Sequence, residues 1–138
     1  MPIDNATGVF KLLLVDDDPS TLKLLNTTFE PDNRLDGSVA RDGDEAMRIY
    51  RTLHPDLVIL DIALPGRNGY SVCRLIKHDP VNPGTAVVLL SGQPQQDARE
   101  SAWKVGADGF VPKPFSPKDL LEVVGARVDK HLAALARR

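Results

Sequence analysis

Residues 56–69 have the sequence DLVILDIALPGRNG, in which an aliphatic run ends at an acid and a turn-forming segment follows. An unbroken run of aliphatic and β-branched residues, followed closely by Pro65 and Gly66, is typical of a buried strand that leads into a loop. Asp61 closes this run, so its carboxylate is expected at the carboxyl end of a strand. In open α/β folds, that edge of the sheet holds the binding and active sites.

Three other apolar runs are also followed directly by polar residues. They are Lys11–Val15 with Asp16, Asp17 and Asp18, Ala86–Leu90 with Ser91, and Gly109–Pro112 with Lys113. Four predicted strands therefore direct carboxylates, a hydroxyl and an ammonium group toward one edge of a sheet.

Strand-like and helix-like segments alternate five times along the chain. The predicted helices are about Ser20–Phe29, Asp44–Leu53, Gly69–Lys77, Gln95–Val105 and Pro117–Ala136. The remaining strand is predicted at Ser38–Ala40, after a polar turn over residues 31–37. Such alternation indicates βαβ units and a parallel sheet, and right-handed crossovers place the helices on both of its faces. The predicted fold class is a single doubly wound α/β domain.

Composition narrows the class of protein without naming a function. A chain of 138 residues with 42% hydrophobic and 26% charged residues is ordinary for one globular domain. The formal net charge of −2 gives no reason to expect a nucleic-acid or membrane partner. A single cysteine cannot form an internal disulfide, and the sequence leads us to expect neither a signal peptide nor a membrane span, which needs an apolar run of ~20 residues. We therefore expect the cytoplasm as the location.

A cluster of carboxylates is unfavourable unless a cation offsets its negative charge. Acids that lie within a few ångströms of one another repel, and their desolvation adds to that cost. Mg²⁺ is a hard cation that takes oxygen ligands and commonly pairs with phosphate. An aspartate can then act as a nucleophile on phosphorus, while a lysine and a serine hydroxyl neutralise and bind the phosphoryl oxygens. The residue types predict Mg²⁺-dependent capture of a phosphoryl group on an aspartate.

The order and spacing of these residues resemble those of the receiver domain of bacterial two-component response regulators, the CheY-like family. The matching motifs, in chain order, are Asp16-Asp17, Asp61-x-x-Leu64-Pro65-x-x-Asn68-Gly69, Ser91-Gly92 and Lys113-Pro114. The resemblance runs from Lys11 to about Leu135. It implies a flavodoxin-like (βα)5 fold with strand order 2-1-3-4-5, formed by residues 11–138 after a short N-terminal extension over residues 1–10.

The resemblance implies a role for each acid at the sheet edge. Asp61 would accept a phosphoryl group from a sensor histidine kinase or a histidine phosphotransfer protein. Asp16 and Asp17 would hold Mg²⁺ together with Asp61, and the backbone carbonyl of Ala63 would complete the protein ligands. The chain would be a signalling receiver rather than an enzyme, although it would assist its own phosphotransfer and autodephosphorylation.

The resemblance also implies roles for residues farther along the chain. Lys113 would pair with the phosphoacceptor or the phosphoryl oxygens, and its bond to Pro114 would be cis. Ser91 would bind a phosphoryl oxygen, and Phe110 would be the switch aromatic that turns inward afterwards. Asp18 is expected to face solvent, either as a turn or helix-capping residue or as a further acid of the site.

Three positions leave an open question. Ala63 and Gln93 stand where the family commonly has polar residues that set the lifetime of the phosphoryl group, so that lifetime is not predicted. Trp103 belongs either to a partner-binding face or to half-buried packing.

Partners follow from the resemblance as well. The expected read-out surface comprises the fourth helix, the fifth strand and the fifth helix, and it would act on a downstream target protein or a fused output domain. Both arrangements stay open, and a phosphorylation-linked homodimer is compatible with either. No nucleic acid or membrane contact is expected through this domain.

Two other functions use similar residues. A phosphatase of the haloacid dehalogenase type would need a second acid two residues after the nucleophile, where this chain has Ala63, and its acid pair would come last in the chain. A pseudo-receiver would bind partners without phosphate, but it would ordinarily have lost one of the acids or the lysine. All of these residues are present here.

Overall fold

A computed structural model of the protein describes residues 9–92 and 95–137. Five strands and five helices alternate along this part of the chain. Their bounds are β1 Phe10–Val15, α1 Pro19–Phe29, β2 Leu35–Ala40, α2 Gly43–Leu53, β3 Leu57–Asp61, α3 Gly69–Lys77, β4 Ala86–Ser91, α4 Gln95–Lys104, β5 Gly109–Pro112 and α5 Pro117–Ala136. None of the helices in the described ranges is both long and apolar enough to cross a membrane.

The strands form one parallel sheet in the order β2-β1-β3-β4-β5, which confirms the predicted fold class and strand order. The chain direction across the sheet reverses between β1 and β3, since β2 lies on one side of β1 and all later strands lie on the other. In such folds, ligands bind beyond the carboxyl ends of the strands at this switch point. Val15 pairs with Leu60 here, so the residues that follow β1 meet the end of β3.

The edge strand β2 is longer than the sequence predicted. It begins at Leu35, within the segment expected to be a turn, and pairs with β1 from Phe10↔Leu35 to Val15↔Ala40. Half of its six residues are exposed, which weakens the apolar signal. Backbone pairing with β1 extends this strand, because strand formation depends on its neighbours more than on local propensity.

Two apolar cores cover the two faces of the sheet. Helices α2, α3 and α4 pack on one face, and α1 and α5 pack on the other. Cys73 is fully buried in the first core, and burial raises the pKa of its thiol to about 12. Cys73 therefore acts as a small buried apolar residue.

Side-chain caps fix where several helices begin. The Asp18 carboxylate caps α1, accepting hydrogen bonds from the Ser20 amide at 3.0 Å and the Thr21 hydroxyl at 3.1 Å. Asn68 caps α3 by accepting a 2.9 Å hydrogen bond from the Ser71 amide. Such caps satisfy amide groups that have no partner within the helix. Asp18 is exposed, so its expected place as a solvent-facing cap is confirmed.

Candidate functional site

Three carboxylates meet at the carboxyl edge of the sheet. One oxygen from each of Asp16, Asp17 and Asp61 lies within 4.8 Å of the others. Asp16 follows β1 and Asp61 ends β3, so the adjacency of these strands brings the two residues together. Both are buried, whereas Asp17 is exposed. The cluster therefore has a buried floor and one side open to solvent.

Lys113 supplies a cation to this cluster. Its ammonium nitrogen Nζ lies 3.0 Å from Asp16 Oδ2 and 3.0 Å from Asp61 Oδ2. Lys113 directly follows β5, so its side chain extends past the end of β4 to reach both acids. The lysine thus links the first, third and fifth strands through one charged group.

Backbone amides hold the remaining oxygens of the two buried acids. Asp16 Oδ1 accepts a 3.0 Å hydrogen bond from the Asp18 amide, and Asp61 Oδ1 accepts a 3.1 Å bond from the Ala63 amide. Each buried carboxylate therefore has one oxygen on an amide and the other on Lys113. The sequence did not indicate these amide donors, because they arise from the loop path two residues beyond each acid.

Ser91 and Phe110 lie on neighbouring strands next to the cluster. Ser91 is fully buried at the end of β4, and its carbonyl accepts a 2.7 Å hydrogen bond from the Lys113 amide. Phe110 on β5 pairs with Leu89 and packs, partly buried, against the core on the α4 side of the sheet. Leu89 belongs to the same core as Phe110. Side chains two residues apart on a strand point to the same face of the sheet, so Ser91 lies on the face that carries Leu89 and Phe110. The Lys113–Pro114 peptide bond is cis, as expected.

Comparison with known proteins decides the family. The family model described as "Response regulator receiver domain" matches residues 12–125, which is most of the chain. The chain belongs to this family. It is therefore a receiver domain of a two-component response regulator, as the motif order predicted.

Individual relatives agree with this assignment. Over 121 residues, the receiver is 38% identical to the DNA-binding response regulator MtrA of Mycolicibacterium smegmatis, covering 88% of this chain and 51% of that protein. Among solved structures, the BeF3-activated DrrB receiver domain is 29% identical, with a TM-score of 0.79 over 88% of this chain and 98% of that one. The chain thus spans about half the length of the curated relatives it matches.

A CheY-like receiver domain protein from Methanospirillum hungatei shares the fold. Its structure covers 91% of this chain and 98% of its own, with a TM-score of 0.81 at 23% sequence identity. At that identity the comparison speaks for the fold alone, and it agrees with the strand order of the receiver.

The electrostatics of the receiver site keep Lys113 charged. Burial is the largest influence on Asp16 and raises its pKa, against the opposing hydrogen bonds from the Asp18 amide and Lys113. Burial alone would lower the pKa of Lys113, but its hydrogen bonds and charge interactions with Asp16 and Asp61 outweigh it and raise that pKa. Lys113 therefore stays protonated between the two acids.

Gly69 is a residue of the receiver site whose structural role the sequence did not indicate. Its amide donates a 2.9 Å hydrogen bond to the Ile62 carbonyl, which brings the start of α3 against the end of β3. A Cβ at this position would overlap the Asp61 carbonyl oxygen and lie 2.5 Å from Ile62 Cα. Only glycine permits this approach. The Asn68-Gly69 pair marked a turn in the sequence but not its closeness to Asp61.

Several expected residues contribute no side chain to the cluster. The Asp18 carboxylate is engaged in capping α1, and the Ala63 side chain is exposed. Gln93 lies outside the described residues. Trp103 is 84% exposed, so the half-buried alternative for this residue is wrong and it lies on the open surface of α4.

Proposed function

We propose that this receiver accepts a phosphoryl group on Asp61 from the phosphohistidine of a sensor histidine kinase or a histidine phosphotransfer protein. The observation that carries the proposal is the position of Lys113 Nζ, 3.0 Å from both Asp16 and Asp61, beside a third carboxylate on Asp17. This arrangement holds the proposed nucleophile between a cation and a pair of acids at an edge open to solvent.

The proposed step transfers one phosphoryl group. A carboxylate oxygen of Asp61 forms a bond to phosphorus as the phosphorus–nitrogen bond of the phosphohistidine breaks, and the departing imidazole keeps the electron pair and takes up a proton. The Ala63 amide and Lys113 hold the carboxylate in place before the attack. Lys113 and the Ser91 hydroxyl then donate to phosphoryl oxygens, whose charge the lysine partly offsets.

The donor set fits a divalent cation. Asp16, Asp17 and Asp61 bring three negative charges within reach of one ion, and Lys113 offsets only one of them. Mg²⁺ prefers carboxylate and carbonyl oxygens and retains water ligands, which suits a cluster with one exposed acid. We propose the three acids and the Ala63 carbonyl as its protein ligands. When bound, Mg²⁺ would neutralise charge on the phosphoryl oxygens during transfer.

Ser91 and Phe110 are proposed to carry the signal away from the site. Ser91 is buried at the end of β4, one strand from the partly buried Phe110 ring on the same face. Binding of a phosphoryl oxygen by Ser91 would draw its loop inward, and the ring would follow into the space released. Phosphorylation would thereby shift an existing equilibrium toward a second arrangement of the α4–β5–α5 surface.

The signal would pass from the α4–β5–α5 surface to another protein or to an output domain of a longer regulator. The MtrA relative is described as DNA-binding, and the present chain aligns with about half of it. We propose that any DNA contact would belong to such a further domain and not to the receiver. We also propose a cytoplasmic location and a phosphorylation-linked homodimer, because the chain belongs to the response regulator receiver family.

Intact-mass spectrometry after incubation with acetyl phosphate tests the proposal. We expect one added phosphoryl group that requires Mg²⁺ and is absent from the Asp61→Asn variant. The Lys118→Met variant, which removes an exposed lysine on α5, should be phosphorylated like the wild type. If no mass is added under conditions that phosphorylate another receiver, the phosphate-independent pseudo-receiver is the better description.

A further inference from the structure

A cation on α4 lies over the proposed switch aromatic. The guanidinium carbon of Arg99 is 5.8 Å from the centroid of the Phe110 ring. This distance is within the ~6 Å range in which a cation is attracted to the face of an aromatic ring. Arg99 is exposed and Phe110 is partly buried, so the contact lies at the surface between α4 and β5.

Among the charged and polar contacts of the described residues, Arg99 makes one, over the Phe110 ring. Within residues 9–92 and 95–137 it has no ion pair and no hydrogen bond. Lys104, on the same helix, is held by Glu100 at 3.6 Å and contacts no aromatic ring in these ranges. The two cations of α4 therefore differ in a way that can be tested, because only one lies over Phe110.

We propose that Arg99 is a positioning residue that holds the Phe110 ring in its partly buried position and opposes its inward turn. This inference rests on the proposed function, since it gives Phe110 the role of a switch. A guanidinium on an exposed residue cannot follow a ring into the core without losing hydration, which is costly. Inward movement of Phe110 therefore breaks the contact with Arg99, and that loss favours the arrangement without phosphate.

The affinity for beryllofluoride in excess Mg²⁺ measures the effect, since this anion binds a carboxylate in the manner of a phosphoryl group. We expect Arg99→Ala to bind it about two- to fivefold more tightly than wild type, which corresponds to ~0.5–1 kcal/mol for an exposed cation–π contact. Arg99→Lys keeps a cation and should lie closer to the wild type. Lys104→Ala should equal the wild type, and the affinity for Mg²⁺ alone should not change in any variant.

A double-mutant cycle separates this role from a general effect on α4. In a Phe110→Leu background, which lacks the ring, Arg99→Ala should no longer change beryllofluoride affinity. The inference is overturned if Arg99→Ala binds no more tightly than wild type, or if its gain persists without the ring.

Ring spectra of the unliganded protein provide a second readout that does not depend on phosphate chemistry. We expect the aromatic ¹H–¹³C signals of Phe110 to move in Arg99→Ala but not in Lys104→Ala, because only the first substitution releases the ring. Unchanged signals in Arg99→Ala would overturn the inference whatever the binding data show. If the wild type fails to bind beryllofluoride, the proposed phosphoacceptor function fails instead, and the spectra still decide the role of Arg99.

Discussion

Lys113 and Asp16 are 97 residues apart in the sequence, yet the lysine ammonium lies 3.0 Å from the aspartate carboxylate. The contact joins the loop after the first strand to the loop after the last one, so it exists only when the sheet has formed. A buried acid and its cation are thus assembled by folding itself.

Mg²⁺ should stabilise the folded protein. A ligand that binds only the folded state raises the free energy of unfolding by RT ln(1 + [L]/Kd), which is ~1.4 kcal/mol when the ligand concentration is ten times Kd. Asp17→Asn is the matched variant, because Asp17 is exposed and its loss should leave folding intact while weakening the ion site. Urea unfolding with and without Mg²⁺ measures the gain in the free energy of unfolding for the wild type and for Asp17→Asn. An equal gain in the two proteins would mean that this cluster does not hold the ion.

Lys113→Met should destabilise the protein in the absence of Mg²⁺. It leaves Asp16 and Asp61 side by side with no cation, and a buried group left without its partner costs about 1–3 kcal/mol. Mg²⁺ should restore part of the loss, because it neutralises the same carboxylates. Lys118→Met removes an exposed charge and serves as the control. Equal stability of the two variants without Mg²⁺ would contradict the structural role of the lysine.

Gly69→Ala should lower the free energy of unfolding by about 1–3 kcal/mol, because a Cβ would overlap the Asp61 carbonyl and force the α3 start away from β3. Gly125→Ala is the matched control. Gly125 lies within α5 with nothing within 4 Å of a Cβ, so alanine there should stabilise by about 0.4–1 kcal/mol. Thermal and urea unfolding compare the two. Loss of stability in both variants, or in neither, would refute this account of Gly69.

Ala63→Asn should shorten the lifetime of the phosphorylated protein. Ala63 is exposed two residues after Asp61 and offers no side-chain hydrogen bond to an attacking water, whereas an amide can hold one. The rate at which the added mass disappears after removal of the phosphodonor measures the lifetime. Ala133→Asn, an exposed change on α5, controls for the substitution itself. Equal rates of phosphoryl loss in Ala63→Asn and wild type would contradict this prediction.

The Tyr50–Asp79 hydrogen bond should make stability depend on pH in the acid range. The Tyr50 hydroxyl donates to Asp79 Oδ2 at 2.7 Å, and this bond is the main reason that the pKa of Asp79 is lowered. A lowered carboxyl pKa stabilises the fold above the ordinary value of 3.8 and loses that effect as pH falls through the lowered pKa. The stability difference between wild type and Tyr50→Phe should therefore shrink below pH 3.8. Urea unfolding at several pH values tests this, and a constant difference would argue against it.

Much of the fold was predictable because its signals are local. Aliphatic runs that end in acids, a serine or a lysine marked the carboxyl ends of four strands, and the helices lay at or within a few residues of their predicted bounds. The β2 strand was predicted too short because its first half has few apolar residues, and only pairing with β1 makes it a strand. Local hydrophobic patterns therefore predict which segments are buried, but they do not predict strands that depend on pairing with a neighbouring strand.

The candidate site was likewise only partly predictable from the sequence. The sequence alone determined which residue types stand at the strand ends, and hence that acids, Ser91 and Lys113 would share one edge. Only the tertiary structure decided that Asp16 is buried while its neighbour Asp17 is exposed, and that Lys113 bridges Asp16 and Asp61. The physical reason is that burial and charge pairing depend on groups brought from distant parts of the chain, whereas hydrophobic periodicity depends on neighbours along it.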